Sequence, residues 1–511
     1  MSQPDTISSG GTTAGNAVEQ HSIDYIPAEE RHGNVWRQGP FWFVTNFNFF
    51  SIALGFVGPS LGLSVLWTVV AGVLGLVFGG LFMAFHGSQG PKLGLPQMIQ
   101  ARAQFGYRGV IVPTLAVVIT LMTFNVLQTM VLQTGLNQIW GWNPVAVAVV
   151  CSVAAAALAI FGHDWLHRAF RILFWISLPL YALLTFGVLF GSVPTQSAPA
   201  AGFSASAFMA VFVISASYNI TLAPDVSDYT RYLPAKTKNS HIIATILTGA
   251  SLSAAWLMAL GAWLATRTGA TDGLAAIYSS GNAMVHGFGT LMAVVSAISL
   301  VAVIGINTYC TTLGVATMAD SITPVNPTRG LRVGIIIGLL VIWVGITLSI
   351  GENQTTLIND MLAILLYLLV PWTSVNLVDF FFVRKGHYAI TEIFNREGIY
   401  GAWNWRGLTS YFVALACCIP FVKLSFYTSP MAERFNGIDT AWIVGLLVGG
   451  ILYYVLSRSM DLAAEQSAIE LSELELQEGF EPADPHNRPD GHEVYDIRPP
   501  ADGSATTSGA V

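Results

Sequence analysis

Twelve apolar runs of about 18 residues or more recur between residues 40 and 457 of this chain. That is the length a helix needs, at 1.5 Å per residue, to cross a hydrocarbon layer about 30 Å thick. Inside lipid every backbone N–H and C=O must be paired within the protein, which leaves only helices and closed barrels. The runs are too long for barrel strands of about 10 residues, so the expected class is an all-α integral membrane protein. Only 10% of residues are charged, against about 25% in an ordinary soluble domain.

The expected spans are 40–61, 64–85, 110–134, 144–161, 170–191, 203–223, 242–265, 288–316, 331–350, 357–383, 407–424 and 439–457. Residues 1–39 are polar and lack the apolar core and small-residue cleavage site of a signal peptide, so the first span is expected to be retained. With the N-terminus inside, 19 Lys and Arg residues fall on the cytoplasmic side and only Arg267, Lys423 and Arg434 outside. This asymmetry predicts cytoplasmic termini and a multi-pass protein of the plasma membrane. The net charge of −7 belongs to the tail, which holds 12 of the 29 acidic residues beyond Ser459. Asp461–Phe480 could form an acidic amphipathic helix, but anionic lipid would repel it, so it reads as a solvated or partner-facing tail, with disorder and transient helix the plainer expectation.

Two spans carry Gly, Asn, Ser and Pro where lipid tolerates them only beside protein or a cavity. The first reads Asn46-Phe-Asn-Phe-Phe-Ser-Ile-Ala-Leu-Gly-Phe-Val-Gly-Pro59, the sixth Ser215-Ala-Ser-Tyr-Asn-Ile-Thr-Leu-Ala-Pro224. They lie five spans apart, so they run in opposite directions. That placement predicts two inverted five-span repeats, 40–202 and 203–383, whose leading helices break and meet near the midplane around a small-molecule site. The remainder divides into a polar N-tail (1–39), a loop with spans 11 and 12 (384–457) and the acidic C-tail (458–511).

A site for a planar heterocycle needs amides for its N–H and C=O edge and aromatic faces to stack on. Span 3 supplies Phe124 and Gln128 at i and i+4, on one helical face. Span 8 supplies Asn307 and Thr311 at the same spacing, and the broken segments add Ser51, Tyr218 and Asn219. Coupling or gating groups are sought among Asp225, Asp228 and Asp360, with Lys92 either a positive-inside anchor or a partner of Asp225 or Asp228. Asp225 and Asp228 belong to the inner end of span 6, and no carboxylate stands at mid-depth on spans 1, 3, 6 or 8. A membrane enzyme would need clustered His, Cys or carboxylates, whereas His163 and His167 stand alone in the short loop 162–169. The four cysteines lie within spans and suggest neither a disulfide framework nor a metal site. No ion-channel repeat is found, and neither a cofactor nor a nucleic-acid partner is expected.

Gly90-Pro-Lys-Leu-Gly-Leu-Pro96 with Phe105-Gly106, and Ser227-Asp-Tyr-Thr-Arg-Tyr-Leu-Pro234, give residues 30–455 a resemblance to the nucleobase:cation symporters, which include cytosine permease, fungal purine-cytosine permeases and the hydantoin transporter. The resemblance implies a LeuT-type fold of five plus five spans with two peripheral helices, and import by alternating access. In the hydantoin branch, span 3 carries Trp-x-x-x-Gln; the matching residues here are Phe124 and Gln128. In the purine-cytosine branch, span 8 carries Asn-Thr-Tyr-Ser, similar to Asn307-Thr308-Tyr309-Cys310. Sodium-coupled members place Ser-Thr hydroxyls before that Asn, whereas Gly305-Ile306 here offers no side-chain oxygen to a hard cation. The expectation is therefore a purine or cytosine importer, coupled to protons rather than sodium. An allantoin, hydantoin, vitamin or amino-acid carrier of the same fold is the alternative, with a non-transporting receptor or enzyme behind it.

Overall fold

A computed structural model of the protein describes residues 25–161, 163–196, 201–323, 328–350 and 354–478. Its regular elements are all helical, with two isolated β-bridges, Leu63 to Gly202 and Lys423 to Thr428, among the described residues. Helices α1 (Gln38–Asn46) and α2 (Phe49–Gly55) form the first span, followed by α3 (Val65–Gly87), α4 (Ile111–Trp140), α5 (Pro144–Phe161) and α6 (His163–Leu189). The sixth span is α7 (Ala205–Ile220) continued by α8 (Ala223–Thr230), then α9 (Asn239–Arg267) and a short α10 (Gly273–Met284). Next come α11 (Phe288–Ile322), α12 (Arg329–Ser349), α13 (Gln354–Val378), α14 (Trp405–Cys418), α15 (Ala441–Ser457) and α16 (Leu462–Gln477).

Among the described residues, eight stretches are, without a sharp bend, long and apolar enough to cross a membrane, and the first span joins them once its 65° bend is allowed. Helices sit at the twelve expected positions, with α14 (14 residues) and α15 (17 residues) the shortest of the uninterrupted ones. Three expectations change. The loop placed at 162–169 is helical from His163 onward, and the histidine side chains lie outside the described residues. The break in the sixth span is a two-residue turn, Thr221–Leu222, still near helical dihedrals rather than unwound, and α7 and α8 run on as one span. The tail is ordered over α16, which turns by 90° from α15 and packs on the body; residues 479–511 lie outside the described residues. That helix forms because Asp461 accepts the Ala464 N–H at 3.0 Å as its cap, and because Glu465 and Ile469 find buried partners.

Glycines set the close contact between α3 and α7. A Cβ on Gly75 of α3 would stand 2.8 Å from Ser215 Cβ, and one on Gly79 would stand 2.9 Å from the Ala216 carbonyl carbon. Small residues let the α3 and α7 backbones touch, which in lipid replaces the hydrophobic drive for association. Opposite the arginine-rich side, α10 is capped by Asp272, whose carboxylate accepts the N–H groups of Leu274 (2.8 Å) and Ala275 (3.0 Å). There α10 lies so close to α4 that a Cβ on Gly135 would meet Leu274 Cβ at 2.6 Å. Phe49 of α2 is buried against the same corner, its ring 3.4 Å from where a Cβ on Gly273 would stand.

Candidate functional site

Amides and hydroxyls hold the two interrupted spans together. Phe47 leaves helical geometry (ψ 69°), and Asn48 (φ −137°, ψ 163°) restarts the helix by accepting the Phe50 N–H at 3.0 Å. An Asx cap supplies an acceptor that the helix start lacks, which is why an Asn sits at the break. Asn46 Nδ2 donates to Asn219 Oδ1 at 2.8 Å and to the Ala250 carbonyl at 3.0 Å. Asn219 Nδ2 in turn donates to the Leu76 carbonyl at 2.7 Å and to Ser251 at 3.2 Å. Tyr218 places its hydroxyl 3.0 Å from Ser51 Oγ and accepts from Asn48 Nδ2 at 3.1 Å.

Beside this junction lies a cavity of about 280 Å³, walled by α1, α4, α7, α8 and α11. Phe124, Gln128, Tyr218, Asn307 and Asp225 all line it. Gln128 and Asn307 face each other across the α4–α11 interface, Asn307 Nδ2 donating to Gln128 Oε1 at 3.3 Å. Their remaining amide groups offer donors and acceptors to a ligand edge. Phe124, Tyr218 and Phe50 form an aromatic corner next to the amides, with ring centroids 5.8 to 6.2 Å apart. From there the cavity extends past Asp225, Tyr229 and Cys310 to Pro40 and Arg171, toward the arginine-rich side. A rigid aromatic and amide lining of this kind suits a flat, polar-edged ring more than a flexible or highly charged solute.

Other predicted residues take different places. Asn219 is buried and fully bonded between helices, and Ser51 donates to the Asn46 carbonyl at 2.9 Å; both hold the break rather than line the cavity. Thr311 back-bonds to the Asn307 carbonyl at 2.6 Å, so it steadies the turn that carries the amide. Asp228 accepts the Gln97 N–H at 3.0 Å. Asp360 lies toward the opposite end, accepting the Ser425 N–H at 3.0 Å and the Ser425 hydroxyl. Lys92 donates to the Lys385 carbonyl at 3.1 Å and lies over the Phe380 ring, so it pairs with neither Asp225 nor Asp228 here.

The Gly90–Pro96 motif opens with a short helix, Gly90–Leu93, ended by Gly94 in the left-handed region (φ 68°). It packs on the middle of the Ser227–Pro234 motif, since a Cβ on Gly90 would stand 2.8 Å from the Arg231 nitrogen. Asn46, Asn48, Trp42, Tyr229 and Arg171 also belong to the site and were not singled out from the sequence. The Asn46-Phe-Asn48 signal was present in the broken run, whereas Arg171 counted only as an inner positive charge.

Residues 25–445 match the family described as permeases for cytosine/purines, uracil, thiamine and allantoin. The chain is 34% identical over 448 residues to the putative purine-cytosine permease YxlA of Bacillus subtilis, covering 86% of this chain and 96% of that one. It is 23% identical over 437 residues to the allantoin permease of Bacillus subtilis, covering 78% of this chain and 85% of that one. Among solved structures, inward-facing Mhp1 superposes with a TM-score of 0.68 at 17% identity, over 89% of this chain and 97% of that one. A closed, bromovinylhydantoin-bound Mhp1, a transporter of the nucleobase-cation-symport-1 family, superposes with a TM-score of 0.67 at 16% identity, over 88% and 98%. The chain therefore has the Mhp1 fold and belongs to the nucleobase:cation symporters, the permease family for cytosine/purines, uracil, thiamine and allantoin.

Proposed function

We propose that this protein imports a purine nucleobase or cytosine by cation-coupled alternating access, with the base held at the Gln128–Asn307 amide pair. The observation that carries the reading is this pair, 3.3 Å apart, beside the corner formed by Phe124, Tyr218 and Phe50. One face of the ring stacks on the aromatics while its N–H and C=O edge exchanges hydrogen bonds with the amides. The purine-cytosine permease relatives support this class of ligand.

The cavity opens toward the side that collects most of the Lys and Arg residues, while Phe49, Phe50 and α10 close the other side. Under the positive-inside rule the open side is cytoplasmic, both termini lie inside and the conformer is inward-open. Residues 40–202 and 203–383 act as the two inverted repeats, with α14 and α15 peripheral.

The coupling ion is the proton. Asp225 is the one carboxylate among the described residues that line the cavity, and it sits on the inner half of the broken sixth span. At the position before Asn307, where sodium would need hydroxyl oxygens, stand Gly305 and Ile306. The nearby Thr308 hydroxyl is occupied, donating to the Ile304 carbonyl at 2.8 Å and accepting from Asn125 Nδ2 at 3.0 Å.

Proteoliposomes test the assignment. An inward proton gradient should drive accumulation of labelled cytosine without sodium, and Asp225→Asn should keep base exchange while losing accumulation. Accumulation driven by a sodium gradient alone would overturn the proton assignment.

A further inference from the structure

The C-terminal helix α16 is tied into a buried polar chain that ends on α8 of the sixth span. Glu465 Oε1 accepts from Arg384 Nε at 2.6 Å, and Arg384 Nη1 donates to Asp379 Oδ1 at 2.6 Å. Asp379 is fully buried and also accepts from the Tyr388 and Tyr453 hydroxyls, each at 2.8 Å, and from Gln104 Nε2 at 2.7 Å. Asn376 Nδ2 donates to Gln104 Oε1 at 3.2 Å, and Gln89 Nε2 donates to Asn376 Oδ1 at 2.8 Å. Gln97 Nε2 donates to Gln89 Oε1 at 3.2 Å, and Ser227 Oγ donates to Gln97 Oε1 at 2.6 Å. Ser227 lies on α8, two residues beyond the cavity-lining Asp225. A second tie holds α16 down, where Ser472 Oγ accepts the Thr391 N–H at 3.0 Å.

Two carboxylates around one guanidinium are a poor device for stability alone, because desolvating three charges offsets much of their attraction. Such a cluster does fix geometry, since any shift strands a charge or an amide in a low-dielectric interior. We propose that α16 is a positioning element for transport: through the chain from Glu465 to Ser227 it holds α8, and with it the cavity, in the state open to the arginine-rich side. Glu465, Asp379 and Gln97 act through their neighbours and do not touch the substrate. Release of α16 frees α8 and shifts the population toward the state closed on that side.

The inference rests on the alternating-access reading, and Cys310 reports it without knowledge of the substrate, because this cysteine lines the same cavity. In a chain with Cys151, Cys417 and Cys418 replaced by Ser, maleimide labelling of Cys310 is measured in open membranes, beside the wild-type rate and its protection by cytosine. Substrate protection in the parent protein tests the cavity assignment; the variants test the positioning role.

Coupling along such a chain is established only by a cycle of variants. Glu465→Gln and Ser227→Ala should each slow labelling at least threefold, and the double variant should be no slower than the more affected single. Ser472→Ala, which loosens α16 without stranding a charge, should slow labelling about twofold. Parent-like labelling in both Glu465→Gln and Ser472→Ala at normal abundance would overturn the proposal. So would a double variant whose slowing is the product of the two single effects.

Discussion

Gln128→Ala is the perturbation for which the geometry gives the clearest expectation. Gln128 lies at the cavity wall, almost fully buried, with its Oε1 accepting from Asn307. Truncation leaves the edge of a bound base without one hydrogen-bond partner in a water-poor site, a loss of about 1–3 kcal/mol. At 1.4 kcal/mol per tenfold, that raises the KM for uptake by about 5- to 140-fold. Asn307→Ala should act similarly. Because the two amides bond to each other, the double variant should fall short of the sum, with a coupling of about 0.5–3 kcal/mol. Gln128 projects into a cavity rather than a packed contact, so abundance and melting temperature should stay near wild type. The assay is initial-rate uptake of labelled cytosine over a range of concentrations, normalised to the protein in the membrane. A KM within twofold of wild type for Gln128→Ala, or strict additivity in the double variant, would refute the placement of the ligand edge.

Three further outcomes follow from the packing. Asn219→Ala removes three buried hydrogen bonds, although Asn46 Nδ2 keeps the Ala250 carbonyl and the Leu76 carbonyl keeps Ser251, so it should destabilise the fold by about 1–3 kcal/mol, seen as a lower melting temperature in detergent, while the KM of the protein that does fold stays within twofold. Gly79→Val forces side-chain atoms into the Ala216 backbone and should cost about 1–3 kcal/mol or more through overpacking, read as low yield and early melting. Burial pushes the Asp272 carboxyl up to about 6 although two backbone N–H groups favour its charged form. A raised folded-state value means that the native state holds its proton more tightly than the unfolded chain, whose Asp titrates near about 3.9. The contribution of Asp272 to stability is therefore complete below about pH 4 and lost as the pH rises through about 6. Melting curves at pH 4, 5, 6 and 7 should show this component, and Asp272→Asn should remove it.

Much of the fold was legible because lipid imposes a length and a polarity on every crossing. The break in the first span was legible too, since Asn46-Phe-Asn48 cannot continue a lipid-facing helix. The second break was overread: Pro224 tolerates a helix start, and the chain needs only Thr221–Leu222 to pass it. Within the site, the i and i+4 spacing of Phe124 with Gln128 placed both on the cavity face. Spacing alone could not give the direction in which Asn219 points. Its side chain turns to α3 and α9, where the Leu76 carbonyl and Ser251 need a donor, and so it serves the scaffold instead of the cavity. The partners of Lys92 and Asp360 were hidden for the same reason, since Lys385 and Ser425 lie in distant loops. The Glu465–Arg384–Asp379 cluster left no local trace in the sequence, because Glu465 stands 81 residues from Arg384.

Uptake of labelled cytosine in cells lacking their own nucleobase permeases tests the central claim most directly, at fixed pH with and without sodium. Unlabelled adenine, hypoxanthine, uracil, allantoin and hydantoin serve as competitors, and Gln128→Ala is run beside the wild type. The expected result is uptake that ignores sodium, is blocked by adenine or hypoxanthine, and is lost at low substrate concentration in Gln128→Ala. Absence of cytosine uptake, or wild-type uptake by Gln128→Ala, would contradict it.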